Sequence, residues 1–472
     1  MRRYPSYILL TLVLMLFSSL QARKRQELKP RLVVMTDICP ADVEPDDIES
    51  AIRLLAYADR FEIEAVIPSI GWNCDPYPPE WVKCLENVID AYEKDVHNLM
   101  NRSHQTSFLP LNQEQTMAQP IGYWPSADYL RSRVALGSPK AGIGVIGEGN
   151  DTPGSRKIIE LLDEADERPI YFCAWGGANT LSQAVWRLQH DRSPKDLIRA
   201  LHKIRLYTIT DQDMKWTMRR QLDYSSHMWL RKEFSNELML IWDESAWLNH
   251  NDLGNKNWDR HARLIQGHGE MGRIYPKNKY GVEGDTPSFF HCMPNGLNDP
   301  DDPTQVGWGG YHQFGLSPDG LTYAWTNWQQ PVKDYSNHFE VRFYPDEFND
   351  FAARMQWAAE GKGTTNPVVI VNGKRGLSPI LLKAKVGQTI KLNAGKSYDP
   401  EGGTLRFLWW EQLPMTKSTG VLTNVSATQS PVLTVIVPPS YKGRKIHLVC
   451  EVHDDSPFQL VSYRRVIIDV AE

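Results

Sequence analysis

The stretch RLVVMTDICPADVEPDDIESAIRLLAY, residues 31–57, decides the fold of this chain. Its first part is a short apolar run rich in β-branched residues, which is typical of a buried parallel strand. Its last part places Ile48, Ile52 and Leu55 at the spacing of one helical face. The stretch therefore predicts a strand, an acidic loop and a helix. Because ligands bind at the carboxyl ends of strands in open α/β sheets, this loop is the first candidate for a functional site.

The loop concentrates carboxylates between the strand and the first helical turn. They are Asp37, Asp42, Glu44, Asp46 and Asp47. Acidic residues beside Pro45 at a helix entry are also favoured by the helix macrodipole, which is enough to explain Glu44, Asp46 and Asp47. The macrodipole does not explain Asp37, which lies at the end of the predicted strand and adds a further negative charge. Like charges at close range raise one another's pKa unless a cation or a basic group compensates. Hard oxygen ligands suit Ca²⁺ or Mg²⁺, so we predict a metal site, with a solvated acidic turn as the alternative.

Further strand-like runs end in polar residues. The run IRLYTIT is followed by Asp211 and Asp213, and ELMLIW by Asp243 and Glu244. These four residues are candidate substrate contacts, since strand ends of this kind meet at one edge of a sheet. The repeated units predict an open, mostly parallel sheet with helices on both faces.

Beyond the segment GKGTTNP, residues 361–367, the pattern changes to short β-rich runs such as VVIVNG, LRFLWWEQL and KIHLVCEVHDD. Alternation with turn signals predicts a smaller all-β sandwich domain. We therefore divide the chain into a signal peptide at residues 1–22, a linker at 23–30, an α/β domain at 31–363 and a β-sandwich domain at 367–472. The Gly/Pro/Thr-rich boundary predicts that the first domain folds by itself.

The amino-terminal residues have the pattern of a secretory signal peptide. A basic start is followed by an apolar run from Tyr7 to Phe17 and a small residue, Ala22. The run is shorter than a typical membrane-spanning helix, so we expect a periplasmic or secreted protein that is not stably inserted in a membrane after the signal peptide is cleaved. A net charge of −5 without a basic stripe argues against a nucleic-acid partner. The six cysteines allow disulfides, with Cys74 and Cys84 the nearest pair, and the sequence leaves the oligomeric state open.

The chain carries 16 tryptophans. Exposed aromatic faces stack on sugar rings, so exposed tryptophans such as Trp308 or Trp328 would suit a carbohydrate ligand. The alternative is that these tryptophans belong to the core, as most do.

Two sets of motifs resemble known families. The pattern T-D followed by E-P-D-D, at a strand-to-helix turn, resembles the opening D-x-D-P-G-x-D-D of Ca²⁺-dependent nucleoside hydrolases. More closely, EPDDIESAIRLL with the later EGDTPSFF and NGLNDPDDPTQVGWGGYH resembles the nucleoside-hydrolase-like domain of a bacterial cellulose-binding protein family. This likeness covers residues 31 to about 361. The stretch GQTIKLNAGKSYDPEGG resembles immunoglobulin-like domains of the polycystic-kidney-disease type.

The resemblance implies a Ca²⁺ site, with Mg²⁺ as a further possibility, and a hydrolase that acts through a metal-bound water on a glycosidic or N-glycosidic bond. It implies Asp37 as the general base, and Asn73 and Asp46 as contacts with the sugar, although Asn73 is equally explained as a turn residue. The implied metal ligands are Asp37, Asp46, Asp47, Asp285 and the backbone carbonyl of Trp175. The alternative function is a non-catalytic protein that binds cellulose or another polysaccharide.

One departure from the nucleoside hydrolases concerns the leaving group. Those enzymes carry His-Asp where this chain has Gly284-Asp285, and the histidine serves some of them as general acid. The resemblance therefore implies that the metal site is kept and that the usual leaving-group acid is missing. His268, Glu283 and His291 are candidate replacements.

Overall fold

The structure is a computed structural model and describes residues 27–213, 224–413 and 429–472. The predicted signal peptide lies outside these residues. Within them, no helix has both the length and the apolar character needed to cross a membrane.

The first part of the chain forms a seven-stranded sheet with the strand order β2-β1-β3-β4-β5-β7-β6. All neighbouring strands are parallel except β6 and β7, which form an antiparallel hairpin at the edge. The strands are β1 (Arg31–Thr36), β2 (Glu62–Pro68), β3 (Ile170–Ala174), β4 (Ile204–Ile209), β5 (Met239–Asp243), β6 (Gln313–Leu316) and β7 (Tyr323–Thr326).

Helices connect these strands and cover the sheet. They are α1 (Asp46–Ala56), α2 (Val82–Met100), α3 (Leu111–Glu114), α4 (Ala127–Ser132), α5 (Pro153–Asp163), α6 (Asn179–Asp191), α7 (Pro194–His202), α8 (Ser226–Phe234), α9 (Ala246–Lys256), α10 (Trp258–Leu264), α11 (Gly269–Ile274), α12 (Thr286–Phe290) and α13 (Val332–Glu360). A short 3-10 turn at Pro79–Trp81 precedes α2.

Both faces of the sheet are buried. In β1, Leu32 and Val34 belong to one hydrophobic cluster, whereas Val33 and Met35 belong to another on the opposite face. A strand buried on both sides needs apolar residues at every position, which is why this run is continuously apolar rather than alternating. The predicted open parallel sheet with helices on both faces is confirmed.

The smaller all-β domain follows α13, whose C-cap residue, Gly361, has a left-handed conformation with φ 67°. One of its sheets has four strands in the order β10-β12-β13-β8, and the other pairs β11 with β9. The strands are β8 (Ile380–Ala384), β9 (Thr389–Asn393), β10 (Arg406–Gln412), β11 (Val432–Ile436), β12 (Lys445–His453) and β13 (Val461–Val470). The run VVIVNG forms isolated bridges at Val368 and Val371 instead of the strand that its composition predicts.

The two domains share a hydrophobic cluster. Trp410 of β10 lies 5.6 Å from Phe339 of α13 between ring centroids, and Tyr463 of β13 contacts Trp308. The buried Arg465 guanidinium donates to the backbone carbonyls of Leu297 and Val306 in the first domain. The domains are therefore joined by apolar packing and buried polar contacts.

Part of the predicted linker is packed into the first domain. Lys29 is buried, and its Nζ donates to Ala58 O and to Gln119 Oε1, each at 2.7 Å. Burial lowers the pKa of this ammonium to about 7. All six cysteines are free thiols, including Cys74 and Cys84.

Candidate metal centre

Asp37 is the first residue after β1 and lies in a cradle formed by two glycines. A Cβ atom at Gly71 would lie 2.0 Å from Asp37 Oδ2, and one at Gly176 would lie 3.0 Å from Oδ1. Asn73 donates from Nδ2 to Asp37 Oδ2 at 3.1 Å. The ends of β2 and β3 therefore approach this carboxylate so closely that Gly71 has no room for a side chain.

Three more carboxylates meet beside Asp37. Oxygen atoms of Asp46, Asp47 and Asp285 all lie within 4.8 Å of one another. Asp46 and Asp47 open α1, and Asp285 is the residue before α12, so two helix starts that are distant in sequence converge here. Thr36 at the end of β1 donates its hydroxyl to Asp47. The predicted metal ligands Asp46, Asp47 and Asp285 are thus brought together, with Asp37 as their neighbour.

The electrostatics of these four aspartates are unfavourable without a cation. Burial, followed by repulsion from the other carboxylates, raises the pKa of Asp37, Asp46, Asp47 and Asp285 well above the ordinary value. Burial also raises the pKa of Glu44, whereas a hydrogen bond from Asn73 and the positive charge of Lys279 act to lower it. A divalent cation among these oxygens would compensate the repulsion.

The donor set fits a hard cation. All the clustered atoms are carboxylate oxygens, the ligand type that Ca²⁺ and Mg²⁺ prefer. The buried Oδ2 of Asp285 accepts no hydrogen bond from the residues that the structure describes. A buried carboxylate oxygen without a partner is costly, and an ion would satisfy it.

Trp175, the predicted carbonyl ligand, lies at the end of β3 and is buried. Its indole Nε1 donates to Ser288 Oγ at 2.8 Å, and the ring packs against Phe289. Its carbonyl accepts a hydrogen bond from Gln212 Nε2. Sequence reasoning missed Gln212, which lies in the turn that follows β4.

Asp211 and Asp213 lie just beyond the end of β4, and their carboxylates accept hydrogen bonds from residues at helix starts. Asp213 accepts from Ala178 N at 2.7 Å and from His227 N at 2.9 Å, which joins the first turns of α6 and α8. Asp211 accepts from Ser225 Oγ at 2.7 Å. Carboxylates at helix N-termini stabilise those helices. Both aspartates have a structural role, and their predicted contact with substrate stays a prediction.

Asp243 and Glu244 end β5 in a similar way. Asp243 accepts from Ala246 N at 2.8 Å and from Trp247 N at 2.9 Å, and so caps α9. Glu244 Oε1 accepts from Thr210 Oγ1 at 2.6 Å and from Trp242 Nε1 at 2.7 Å. Glu244 and Asp211 also line a cavity of about 300 Å³. The substrate contacts predicted for Asp243 and Glu244 stay predictions.

At Gly284 the structure shows which side chains a larger residue would meet. A Cβ atom there would lie 2.9 Å from both Asn251 Nδ2 and Asp46 Oδ2. The Asn251 amide therefore occupies the space into which a side chain at position 284 would project. This half-buried asparagine of α9 is a second residue that sequence reasoning missed, and no local pattern marks it.

Each of the three candidate replacement acids already contacts another group. Glu283 is ion-paired with Arg53 at 2.7 Å, and although burial alone would raise its pKa, Arg53 and His250 hold it at about 2. His291 lies within 2.9 Å of Pro300 O, and burial lowers its pKa to about 4. His268 Nδ1 lies 3.3 Å from Gln266 O. A carboxylate with so low a pKa has no proton to donate at neutral pH, which argues against Glu283 as the acid.

The prediction that Trp308 is exposed is wrong. Only 3% of Trp308 is accessible, because it packs between the domains against Phe290 and Tyr463. Trp328 is half-buried, and its Nε1 donates to Leu316 O at 2.8 Å.

The first domain and the second domain each match a family model. Residues 31–312 match the model described as cellulose-binding Sde182, nucleoside hydrolase-like domain, and so cover more than half of the chain. The chain belongs to this family. Residues 389–470 match the companion model, cellulose-binding protein Sde0182, C-terminal domain, so both domains of the family are represented.

A solved structure resembles the whole chain. It is a nucleoside hydrolase-related hypothetical protein from Saccharophagus degradans that is associated with carbohydrate metabolism, with 29% identity, a TM-score of 0.76, and coverage of 94% of this chain and 100% of that chain. A second match is the solution structure of a PKD domain from KIAA 1837 protein, with 20% identity over 24% of this chain and 91% of the PKD domain. Its TM-score of 0.16 is too low to support a structural conclusion. No curated protein matches the chain.

Proposed function

We propose that the acidic centre binds Ca²⁺ and that the chain is an exported Ca²⁺-dependent hydrolase of glycosidic or N-glycosidic bonds. The observation that carries the proposal is the buried, unpartnered Oδ2 of Asp285 beside Asp46 and Asp47. These three carboxylates would hold the ion, together with Asp37 and the Trp175 carbonyl. When bound, Ca²⁺ would act as a Lewis acid and orient sugar hydroxyls.

Asp37 is the proposed general base. It lies beside Asp46, Asp47 and Asp285, where it would be placed to accept a proton from a water held at the acidic centre. It would take a proton from water as the water oxygen attacks the anomeric carbon, and the bond to the leaving oxygen or nitrogen would break with its electron pair on the leaving atom. Asn73 would position Asp37 through the hydrogen bond to Oδ2.

The leaving group limits the substrate. A nucleoside base needs a proton as its bond to the sugar breaks, and Asn251 fills the space where a side chain at position 284 would supply one. An amide donates hydrogen bonds but does not transfer its proton. We therefore expect glycosides with good leaving groups, such as nitrophenyl glycosides, to be hydrolysed faster than inosine or uridine.

The test compares wild type with Asp37→Ala and with Asp42→Asn, an exposed carboxylate of the same loop. With excess Ca²⁺ and a panel of nitrophenyl pentosides and hexosides, Asp37→Ala should lower kcat by about 100-fold or more, the usual contribution of a general base. Asp42→Asn should keep wild-type activity. Equal activity of wild type and Asp37→Ala would refute the role of Asp37, and rapid inosine hydrolysis by wild type would refute our interpretation of Gly284.

A second candidate is a non-catalytic protein that binds cellulose or another polysaccharide outside the cytoplasm. The filled position beside Gly284 favours it, because the centre then lacks the usual proton donor for a leaving group. The family description, cellulose-binding, also supports it. In this case the wild type would turn over none of the glycosides, while insoluble polysaccharide would still retain the protein.

A further inference from the structure

The segment that leads to Asp285 contains a residue with an unusual backbone conformation. Glu283, two residues before Asp285, has a φ of 56° and so lies in the left-handed region. This conformation is costly for a residue with a side chain, whereas glycine adopts it freely. The chain has glycine at position 284 but glutamate at the left-handed position. Such a conformation persists only where the surrounding contacts hold it.

The Glu283 carboxylate is buried and has close polar neighbours on both oxygens. Arg53 Nε lies 2.7 Å from Glu283 Oε2, and each of the two side chains is 1% exposed. The Tyr275 hydroxyl donates to Glu283 Oε1 at 2.7 Å. His250 Nε2 lies 3.6 Å from Oε2. Arg53 is itself held by Phe351, because its guanidinium carbon lies 4.3 Å from the centroid of that ring.

The backbone of Glu283 is bound as well. Glu283 N donates to Glu49 Oε2 of α1 at 2.9 Å, and Glu283 O accepts from Thr286 N at 3.1 Å. The second hydrogen bond closes a turn that contains Gly284 and Asp285. The side chain, the N–H and the C=O of Glu283 therefore all have partners, and together these contacts hold the left-handed conformation.

One face of α1 supplies both a candidate metal ligand and the anchors of this segment. Asp46, Glu49 and Arg53 follow one another at spacings of three and four residues, which places them on the same side of a helix. Asp46 meets Asp285 at the acidic centre. Glu49 and Arg53 bind Glu283. The segment therefore lies along α1, and the contacts at Glu283 determine where Asp285 meets the helix.

We propose that Glu283 is a positioning residue that acts through Asp285. Its carboxylate, held by Arg53 and Tyr275, keeps the left-handed bend that directs Asp285 toward Asp46. Without these contacts the backbone would relax to a negative φ, and this change of direction would move Asp285 away from the acidic centre. Repulsion among the carboxylates of the metal-free protein favours such a movement. A fixed bend therefore orders the ligand before the ion arrives, which reduces the free energy lost on binding.

This role rests on the proposed function and deepens it, since it concerns the Ca²⁺ affinity of the same centre. It also gives the Glu283 carboxylate a task other than proton transfer to a leaving group. The competing interpretation is that Glu283 only neutralises the buried Arg53 and so contributes to stability alone. The two interpretations differ in one respect. Glycine can restore a bend that Ca²⁺ binding needs, but it cannot restore a missing charge.

The test measures the Kd for Ca²⁺ of the full-length protein by isothermal titration calorimetry after dialysis against EDTA. Both variants carry Arg53→Met, so that no buried charge is left without a partner. Arg53→Met/Glu283→Gly should bind Ca²⁺ more weakly than wild type, because glycine permits the bend but no side chain holds it. Arg53→Met/Glu283→Ala should bind about tenfold more weakly than the glycine variant, the factor that corresponds to the cost of a left-handed conformation in a residue with a side chain.

The matched control is Arg31→Met/Glu64→Gln. This ion pair is also buried, with Arg31 Nε 2.7 Å from Glu64 Oε1. Arg31 begins β1, whereas Asp37 follows the opposite end of that strand, so the control removes a similar pair far from the acidic centre. Its Kd for Ca²⁺ should equal that of wild type. Circular dichroism shows whether each variant is folded.

Two results would overturn the role of Glu283 alone. One is a folded alanine variant with the wild-type Kd. The other is an equal Kd in the glycine and alanine variants, both weaker than wild type, which would assign the effect to the lost charge. If the alanine variant does not fold, a wild-type Kd in the glycine variant would show that the carboxylate positions nothing. Failure of the wild type to bind Ca²⁺ would overturn the proposed metal centre together with this role.

Discussion

Adding Ca²⁺ to the metal-free protein should raise its melting temperature, and Asp47→Asn should leave little of the rise. In the metal-free protein, burial and repulsion raise the pKa of Asp47 and of its neighbour Asp285, so their ionised forms destabilise the folded state. An ion that binds only the folded state stabilises it by mass action, by about 2.7 kcal/mol at roughly 100 times its Kd.

The expected size of the rise follows from the length of the domain. The matched first domain spans residues 31–312. At about 2.1 cal/mol/K of unfolding entropy per residue, a domain of this length has about 0.6 kcal/mol/K, so 2.7 kcal/mol corresponds to a rise of about 4–5 °C. Differential scanning calorimetry after dialysis against EDTA, with a titration of Ca²⁺ and of Mg²⁺, resolves a change of this size.

The variant has a second signature. Asn at position 47 keeps the shape of the side chain and the acceptor for Thr36, but removes one buried charge. The metal-free variant should therefore be at least as stable as metal-free wild type, although it gains little from Ca²⁺. Asp42→Asn, in the exposed part of the same loop, should keep the full rise. A wild-type melting temperature that is equal in EDTA and in excess Ca²⁺, or a full rise in Asp47→Asn, would refute the reasoning.

Three further outcomes are expected. Burial and repulsion raise the folded-state pKa of the clustered aspartates, Asp47 included, above the unfolded value of about 3.9, so their protonation stabilises the metal-free fold. The free energy of unfolding of metal-free wild type, relative to that of metal-free Asp47→Asn, should therefore increase as pH falls through the folded-state pKa of Asp47 and decrease as pH rises through it. Urea denaturation of both proteins at each pH measures this difference, and a difference with the opposite slope would contradict the electrostatics. In Gly71→Ala the new Cβ would lie 2.0 Å from Asp37 Oδ2, so the free energy of unfolding, measured with urea, should fall by about 1–3 kcal/mol and the Ca²⁺ response should be lost. Gly144→Ala is the control, because a Cβ there has no atom within 4 Å, and it should change neither quantity. Deletion from residue 366 onward should leave a first domain that aggregates or unfolds at lower temperature, because it uncovers the surface that Trp410 and Tyr463 bury; a cooperative, unshifted melt would instead support self-sufficient domains.

The sequence determined the features that depend on neighbouring residues. The continuous apolar run of β1 and the spacing of Ile48, Ile52 and Leu55 on α1 follow from periodicity, so the strand–loop–helix unit was predictable. The acidic loop lies between them, and Asp46 and Asp47 therefore had to share the first helical turn. The change to short alternating runs likewise predicted the second, all-β domain.

The tertiary structure alone decided which polar groups are available and which rings are exposed. Asp213 and Asp243, like Asp37, lie at or beyond the carboxyl ends of parallel strands, yet backbone N–H groups at helix starts donate hydrogen bonds to their oxygens. Trp308 is buried because the second domain docks on it, whereas Phe314 is exposed because β6 is the last strand of the sheet. These differences depend on contacts between residues far apart in sequence, and local periodicity contains no information about such contacts.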